Sequence, residues 1–94
     1  MGQQSRIGKV ATTVKRDAGG TLRVTYHSTV IVEVSPEGRV TLDHNGWKTA
    51  TTKTRMNQAS NQFGLGYSVW QRKGGWFIHH NGSDISFDVG PVTL

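Results

Sequence analysis

Ninety-four residues with a formal charge of +5 and no cysteine leave room for one domain built on one core. Disulfides and thiolate metal sites are excluded, and an apolar run no longer than Val30-Ile31-Val32 rules out a transmembrane helix. Met1 to Arg6 lack the apolar stretch of a signal peptide, so a cytoplasmic setting is expected.

Residues 1–5 are polar and read as a disordered N-terminus, leaving 6–94 as a single β-rich domain. Residues 7–15 form a first strand with Gly8 as a candidate bulge, and Asp17-Ala18-Gly19-Gly20 turns the chain. Leu22, Val24 and Tyr26 alternate with Arg23 and Thr25, the period of a strand with one buried face. After His27-Ser28 the β-branched run Thr29 to Val34 puts Val30, Val32 and Val34 on one face and Glu33 on the other. Ser35-Pro36-Glu37-Gly38 is a turn, Arg39 to Asp43 a strand, and His44-Asn45-Gly46 a second turn. The stretch from 21 to 43 is a β-meander.

After Trp47 the period changes. Thr52, Met56, Ala59 and Phe63 share one helical stripe, with Thr54, Asn57, Gln58 and Asn61 opposite. The expectation is one central helix near 52–63, capped by Thr51 or Thr52 and ended by Gly64 and Gly66. Tyr67 to Arg72 and Trp76 to His80 make a hairpin around Lys73-Gly74-Gly75, and Asp84 to Val89 is the last strand, stopped by Gly90-Pro91. The fold class is α+β: an antiparallel β-meander sheet or a small barrel of about seven short strands with one helix.

Charge is unevenly spread. No acidic residue lies between Asp43 and Asp84, where Lys48, Lys53, Arg55, Arg72, Lys73 and all three tryptophans fall. The helix start combines orphan N–H groups and a partial positive charge with Lys48, Thr49, Thr51 and Lys53, a set able to meet an anion. On the helical wheel, at roughly 100° per residue, Lys53 and Arg55 diverge. Trp47, Thr52, Arg55 and Met56 then form a packed part, with Arg55 held over Trp47 or Trp70 by a backbone carbonyl. One hairpin face presents Tyr67, Val69, Gln71, Trp76, Ile78 and His80; the other presents Ser68, Trp70, Arg72, Phe77 and His79. Aromatics beside cations hold single-stranded nucleic acid by stacking and phosphate contact, which makes Trp70, Arg72, Lys73 and His79 the second group of candidate ligand contacts.

No catalytic residue and no cofactor are expected. His79 and His80 are neighbours on a strand and point to opposite faces. No histidine pair has zinc-site spacing, so no metal is expected. No nucleophile elbow or phosphate loop appears, and an enzyme is not expected.

The run Gly46-Trp47-Lys48-Thr49-Ala50-Thr51-Thr52-Lys53-Thr54-Arg55-Met56-Asn57, followed by Tyr67-Ser68-Val69 and Trp76-Phe77, resembles a group of small tailed-phage proteins of unassigned function. The resemblance covers about residues 22–80, and it implies a viral protein acting in host cytoplasm and no particular activity. The expected function is a basic phage protein binding an anionic partner, foremost single-stranded nucleic acid, through the helix start and the 67–80 hairpin. Its alternatives are a non-enzymatic binder that sequesters a phosphorylated small ligand or inhibits a host protein, and a virion structural part. A surplus aromatic face allows a homodimer.

Overall fold

Thr12–Arg16 (β1), Leu22–Tyr26 (β2), Thr29–Val34 (β3) and Val40–Leu42 (β4) precede one helix, Ala50–Phe63 (α1), in a computed structural model that describes residues 12–94. Tyr67–Arg72 (β5), Gly75–His80 (β6), Ser83–Ser86 (β7) and Val92–Thr93 (β8) follow. The expected disordered segment 1–5, the start of the first strand at 7–11 and the Gly8 bulge lie outside the described residues. All pairings are antiparallel. They make a five-stranded sheet, β1-β2-β3-β4-β8, and a three-stranded sheet, β5-β6-β7. The small-barrel alternative is not realised, because the two sheets stay separate and neither closes on itself.

Local chemistry accounts for the meander. Asp17 accepts the N–H groups of Gly19 and Thr21 at 2.9 and 3.0 Å and pairs with Arg23 at 2.8 Å, which fixes the β1–β2 turn. The Thr21 N–H, then the Arg23 guanidinium, hold its carboxyl below the usual range. Val24 pairs with Val32 but Thr25 pairs with Val30, so Ile31 is an extra residue in β3. This bulge overturns the simple alternation expected there: Ile31 and Val32 are both fully buried, whereas Val30 is exposed.

The last strand also differs from expectation. Pairing with β6 stops at Ser86 rather than Val89, although Phe87 remains buried and donates its N–H to the Trp76 carbonyl at 2.8 Å. Gly90-Pro91 does not end strand formation. It turns the chain into the other sheet, where Val92 and Thr93 pair with Leu42 and Thr41. A Cβ on Gly90 would stand 2.9 Å from the Asp43 carboxylate, so only glycine lets the chain pass there.

The helix begins earlier than the stripe suggests. Thr49, extended at φ −113° and ψ 160°, is the N-cap and accepts the N–H of Thr52. Neither Thr51 nor Thr52 caps: both lie inside the first helical turn, Thr51 exposed and the Thr52 side chain buried. Gly64 closes the helix in the left-handed region at φ 63°, as expected. The helix lies against β5 on one side and β2 and β3 on the other. Met56 and Ala59 join Val24, Ile31, Leu42, Val69, Trp76, Ile78 and Phe87 in one core.

Half of the supposed outer face of the helix is in fact its docking surface. Asn57 donates its amide to the Val69 carbonyl at 2.9 Å and accepts the Val69 N–H at 2.7 Å. The Ser60 hydroxyl donates to the Tyr67 carbonyl at 2.6 Å and accepts the Tyr67 N–H at 3.1 Å. These side chains satisfy the free edge of β5 as a neighbouring strand would. The Tyr67 hydroxyl adds a bond to the Met56 carbonyl at 2.7 Å, and burial raises its pKa far above the ordinary phenol value. Gln58, assigned by the wheel to the solvent side, is buried as well.

Ser60→Ala leaves the Tyr67 N–H and C=O buried without their partner and is expected to cost about 2–3 kcal/mol in urea unfolding. Asn61→Ala, one residue on and exposed, is expected to stay within about 0.5 kcal/mol.

Candidate nucleic-acid interface

The β5–β6 hairpin turns through Lys73 and Gly74, at φ 50° and 81°. Two successive left-handed residues are the signature of a type I′ turn, whose first position favours Asn, Asp or Gly. Lys73 takes it against that preference. The turn pairs Trp70 with Phe77, Val69 with Ile78 and Gln71 with Trp76. Tyr67, Val69, Trp76 and Ile78 are buried, which decides which hairpin face is core.

The other face is the outer surface of the small sheet. Trp70 and Phe77 stack there with ring centroids 4.6 Å apart and planes 23° from parallel. A Cβ on Gly75 would meet the Phe77 ring at 3.2 Å, so glycine there lets the ring lie along the strand toward the turn. Arg72 and Lys73 are exposed beside this pair, and neither makes an ion pair among the described residues. At the far end His79 meets Asp84 at 2.9 Å. That carboxylate marks where the face ceases to suit an anion.

The helix start lies at the turn end of the same hairpin. Lys53 donates its ammonium to the Gln71 side-chain carbonyl at 2.8 Å. Gln71 is opposite Trp76, whose backbone N–H donates to Asp88 Oδ1 at 2.9 Å. Lys48 Nζ is 3.9 Å from that same oxygen. Lys48, Thr49, Thr51 and Lys53 therefore share one end of the molecule with Arg72 and Lys73, although Lys48 already faces an acid. Thr51 is exposed in the first helical turn, and the Thr49 hydroxyl is occupied by the Thr52 N–H and hydroxyl.

Below Lys48 opens a cleft of about 390 Å³ whose lining includes Asp43, His44, Asp88 and Gly90. Two carboxylates on its wall make it a poor phosphate site. His44 is structural: Nδ1 accepts the Gly46 N–H at 3.1 Å, which leaves the ring proton on Nε2 for the Phe87 and Asp88 carbonyls at 2.9 and 3.1 Å. Among the described residues no three His, Asp or Glu side chains gather as a metal site.

Two expected members of the packed part behave differently. Trp47 does not pack into the core. Its N–H bonds to the His44 carbonyl and the next N–H to Gly46, and these consecutive turns carry the indole outward, 43% exposed and stacked on His27. Arg55 is held, but by neither a tryptophan nor a backbone carbonyl. Its Nε donates to the Thr12 hydroxyl and its Nη1 to the Gln58 side-chain carbonyl, each at 3.1 Å, tying the helix to the edge strand β1. The wheel separated Arg55 from Lys53 correctly and missed the partners. Phe77 and Gln71, which complete the hairpin site, carry no signal in sequence beyond alternation.

The family model of the Kyanoviridae Gp96 protein matches residues 1–93. The chain belongs to the Kyanoviridae Gp96 protein family. It is therefore a tailed-phage protein, the origin that the resemblance implied. No curated protein and no solved structure matches this Gp96-family chain. No described helix is long and apolar enough to cross a membrane.

Arg55→Ala is expected to lower stability by about 1–2 kcal/mol, since it severs two charge-assisted, half-buried hydrogen bonds. Lys53→Ala removes one exposed bond and a cation from the wrong end of the helix dipole, and is expected to change stability by less than about 0.5 kcal/mol. Thermal melts of the two variants check this contrast.

Proposed function

We propose that this phage protein is a non-enzymatic binder of single-stranded nucleic acid, acting in the host cytoplasm. Bases stack on the Trp70–Phe77 pair while Arg72, Lys73 and Lys53 contact the phosphates. The observation that carries the reading is the outer hairpin face, where a half-buried, stacked aromatic pair lies beside two exposed cations that no described acid neutralises. An aromatic platform with adjoining cations binds any base through its π-face and any backbone through charge, without sequence preference.

Lys73 strengthens the reading. A lysine in the left-handed region costs on the order of 1 kcal/mol against glycine or asparagine, and its side chain forms no ion pair among the described residues in return. Such a cost is accounted for if the ammonium serves a ligand. Sequestration of a phosphorylated small molecule in the cleft is less well supported, because Asp43 and Asp88 would oppose its charge.

With three cations engaged, log affinity for an oligothymidylate against log salt is expected to fall with a slope of about −2, at roughly 0.7 per single-strand phosphate. Fluorescence anisotropy across a salt series reads this directly, and a flat line would remove nucleic acid from consideration. Lys73→Asn separates function from folding. It is expected to raise stability by about 0.5–1 kcal/mol while making the salt slope shallower by about 0.7.

A further inference from the structure

We infer that Trp47 is a second base-stacking platform for the same single strand. This rests on the nucleic-acid reading of the hairpin and extends it to residues outside that site. Tyr26, His27 and Trp47 form a column of rings: Tyr26 and His27 have centroids 4.4 Å apart at 57°, and His27 and Trp47 are 5.6 Å apart and 27° from parallel. His27 is set in the column by a left-handed backbone at φ 55° in the β2–β3 turn. The column ends in the Trp47 indole, which is braced from below by His27 and 43% exposed.

The surroundings select the occupant. A protein partner of apolar chemistry would need a broad apolar patch around the indole. The residues beside it in sequence, Asn45, Gly46, Lys48, Thr49 and Ala50, are all exposed and three are polar. The exposed Val89 lines the neighbouring cleft together with the acids Asp43 and Asp88. A flat π-surface in a polar frame suits a nucleobase, whose faces are aromatic and whose edges stay hydrated. The phosphates on either side of such a base would meet the first turn of the helix, where Thr51 is exposed and no residue is acidic. Asp43 and Asp88, which oppose a phosphate in the cleft, lie on the Lys48 side of this platform, so the phosphates keep to the helix side. Asp43 accepts the Asn45 N–H at 2.9 Å, and Asp88 accepts the Trp76 N–H and faces Lys48. Lys48 faces Asp88, which accepts the Trp76 N–H of β6, so the Trp47 loop adjoins the hairpin that carries the first platform.

The three tryptophans make the test site-resolved. Indole N–H signals are followed by NMR while an oligothymidylate of about twelve nucleotides is added to the whole protein, with Trp47→Leu and Trp70→Leu assigning the peaks. The expected result is that the Trp47 and Trp70 signals both shift and that of buried Trp76 moves least. Trp47→Leu keeps an apolar cover on His27 and is expected to weaken binding about tenfold. Movement of Trp70 alone, with unchanged affinity for Trp47→Leu, overturns the second platform and leaves the hairpin reading standing. Movement of Trp47 alone supports the platform and removes the hairpin. No movement of either indole overturns both. The titration of the unsubstituted protein decides among these outcomes even if Trp47→Leu fails to fold.

Discussion

Four hydrogen bonds from two side chains of one helix govern this structure. The small sheet has only three strands, and β5 at its border would otherwise offer a row of unpaired backbone groups to water or to another chain. Asn57 and Ser60 of α1 each give that border one donor and one acceptor, at Val69 and Tyr67. The helix thereby becomes a fourth member of the sheet while its apolar stripe packs on the large one. Neither sheet alone encloses Trp76 and Phe87. With α1 between them the core closes.

That attachment requires polar residues on the inward side of the helix, which is why periodicity misread them. A wheel assigns Asn57 and Gln58 to solvent because it knows only the burial of apolar side chains, whereas a buried polar side chain answers to the backbone groups it satisfies. The meander, the turn at Asp17, the hairpin and the helix end at Gly64 were legible because each rests on a local rule: alternation, turn chemistry or a left-handed glycine. The bulge at Ile31, the crossing at Gly90-Pro91 and the outward turn of Trp47 were not. Each depends on a partner distant in sequence or on backbone bonds that no composition reveals. Ile31 accepts the Asp43 N–H, and Gly90 grazes the Asp43 side chain, so two of these features meet at one residue.

The candidate site was half legible for a related reason. Trp70, Arg72 and Lys73 fall on or beside one hairpin face by alternation alone, and the structure keeps them there. The helix-start residues could be named but not located, since nothing local states that Lys48 faces Asp88 or that Lys53 reaches Gln71. Function was less accessible still, because stacking surfaces and phosphate contacts use residue types that also serve ordinary cores and solvated faces. Exposure distinguishes those uses. Trp76 and Trp47, indistinguishable as letters, lie at opposite extremes of burial among the tryptophans.

The gathering of cations at one end follows from the same attachment that holds the helix. Helix and β5 run antiparallel, with Ser60 meeting Tyr67, Asn57 meeting Val69 and Lys53 meeting Gln71. From Ser60 to Lys53 the helix advances about 10 Å at 1.5 Å per residue. From Tyr67 to Gln71 the strand advances about 13 Å at 3.3 Å per residue. The mismatch is small enough for the long lysine side chain to span, so the third contact forms where a short side chain would fall short. Because the chain turns at Lys73 just beyond Gln71, the start of the helix is carried to the hairpin tip. The cations of two separate segments thus converge by geometry that folding itself imposes, and a phage protein of this size needs no additional element to assemble them.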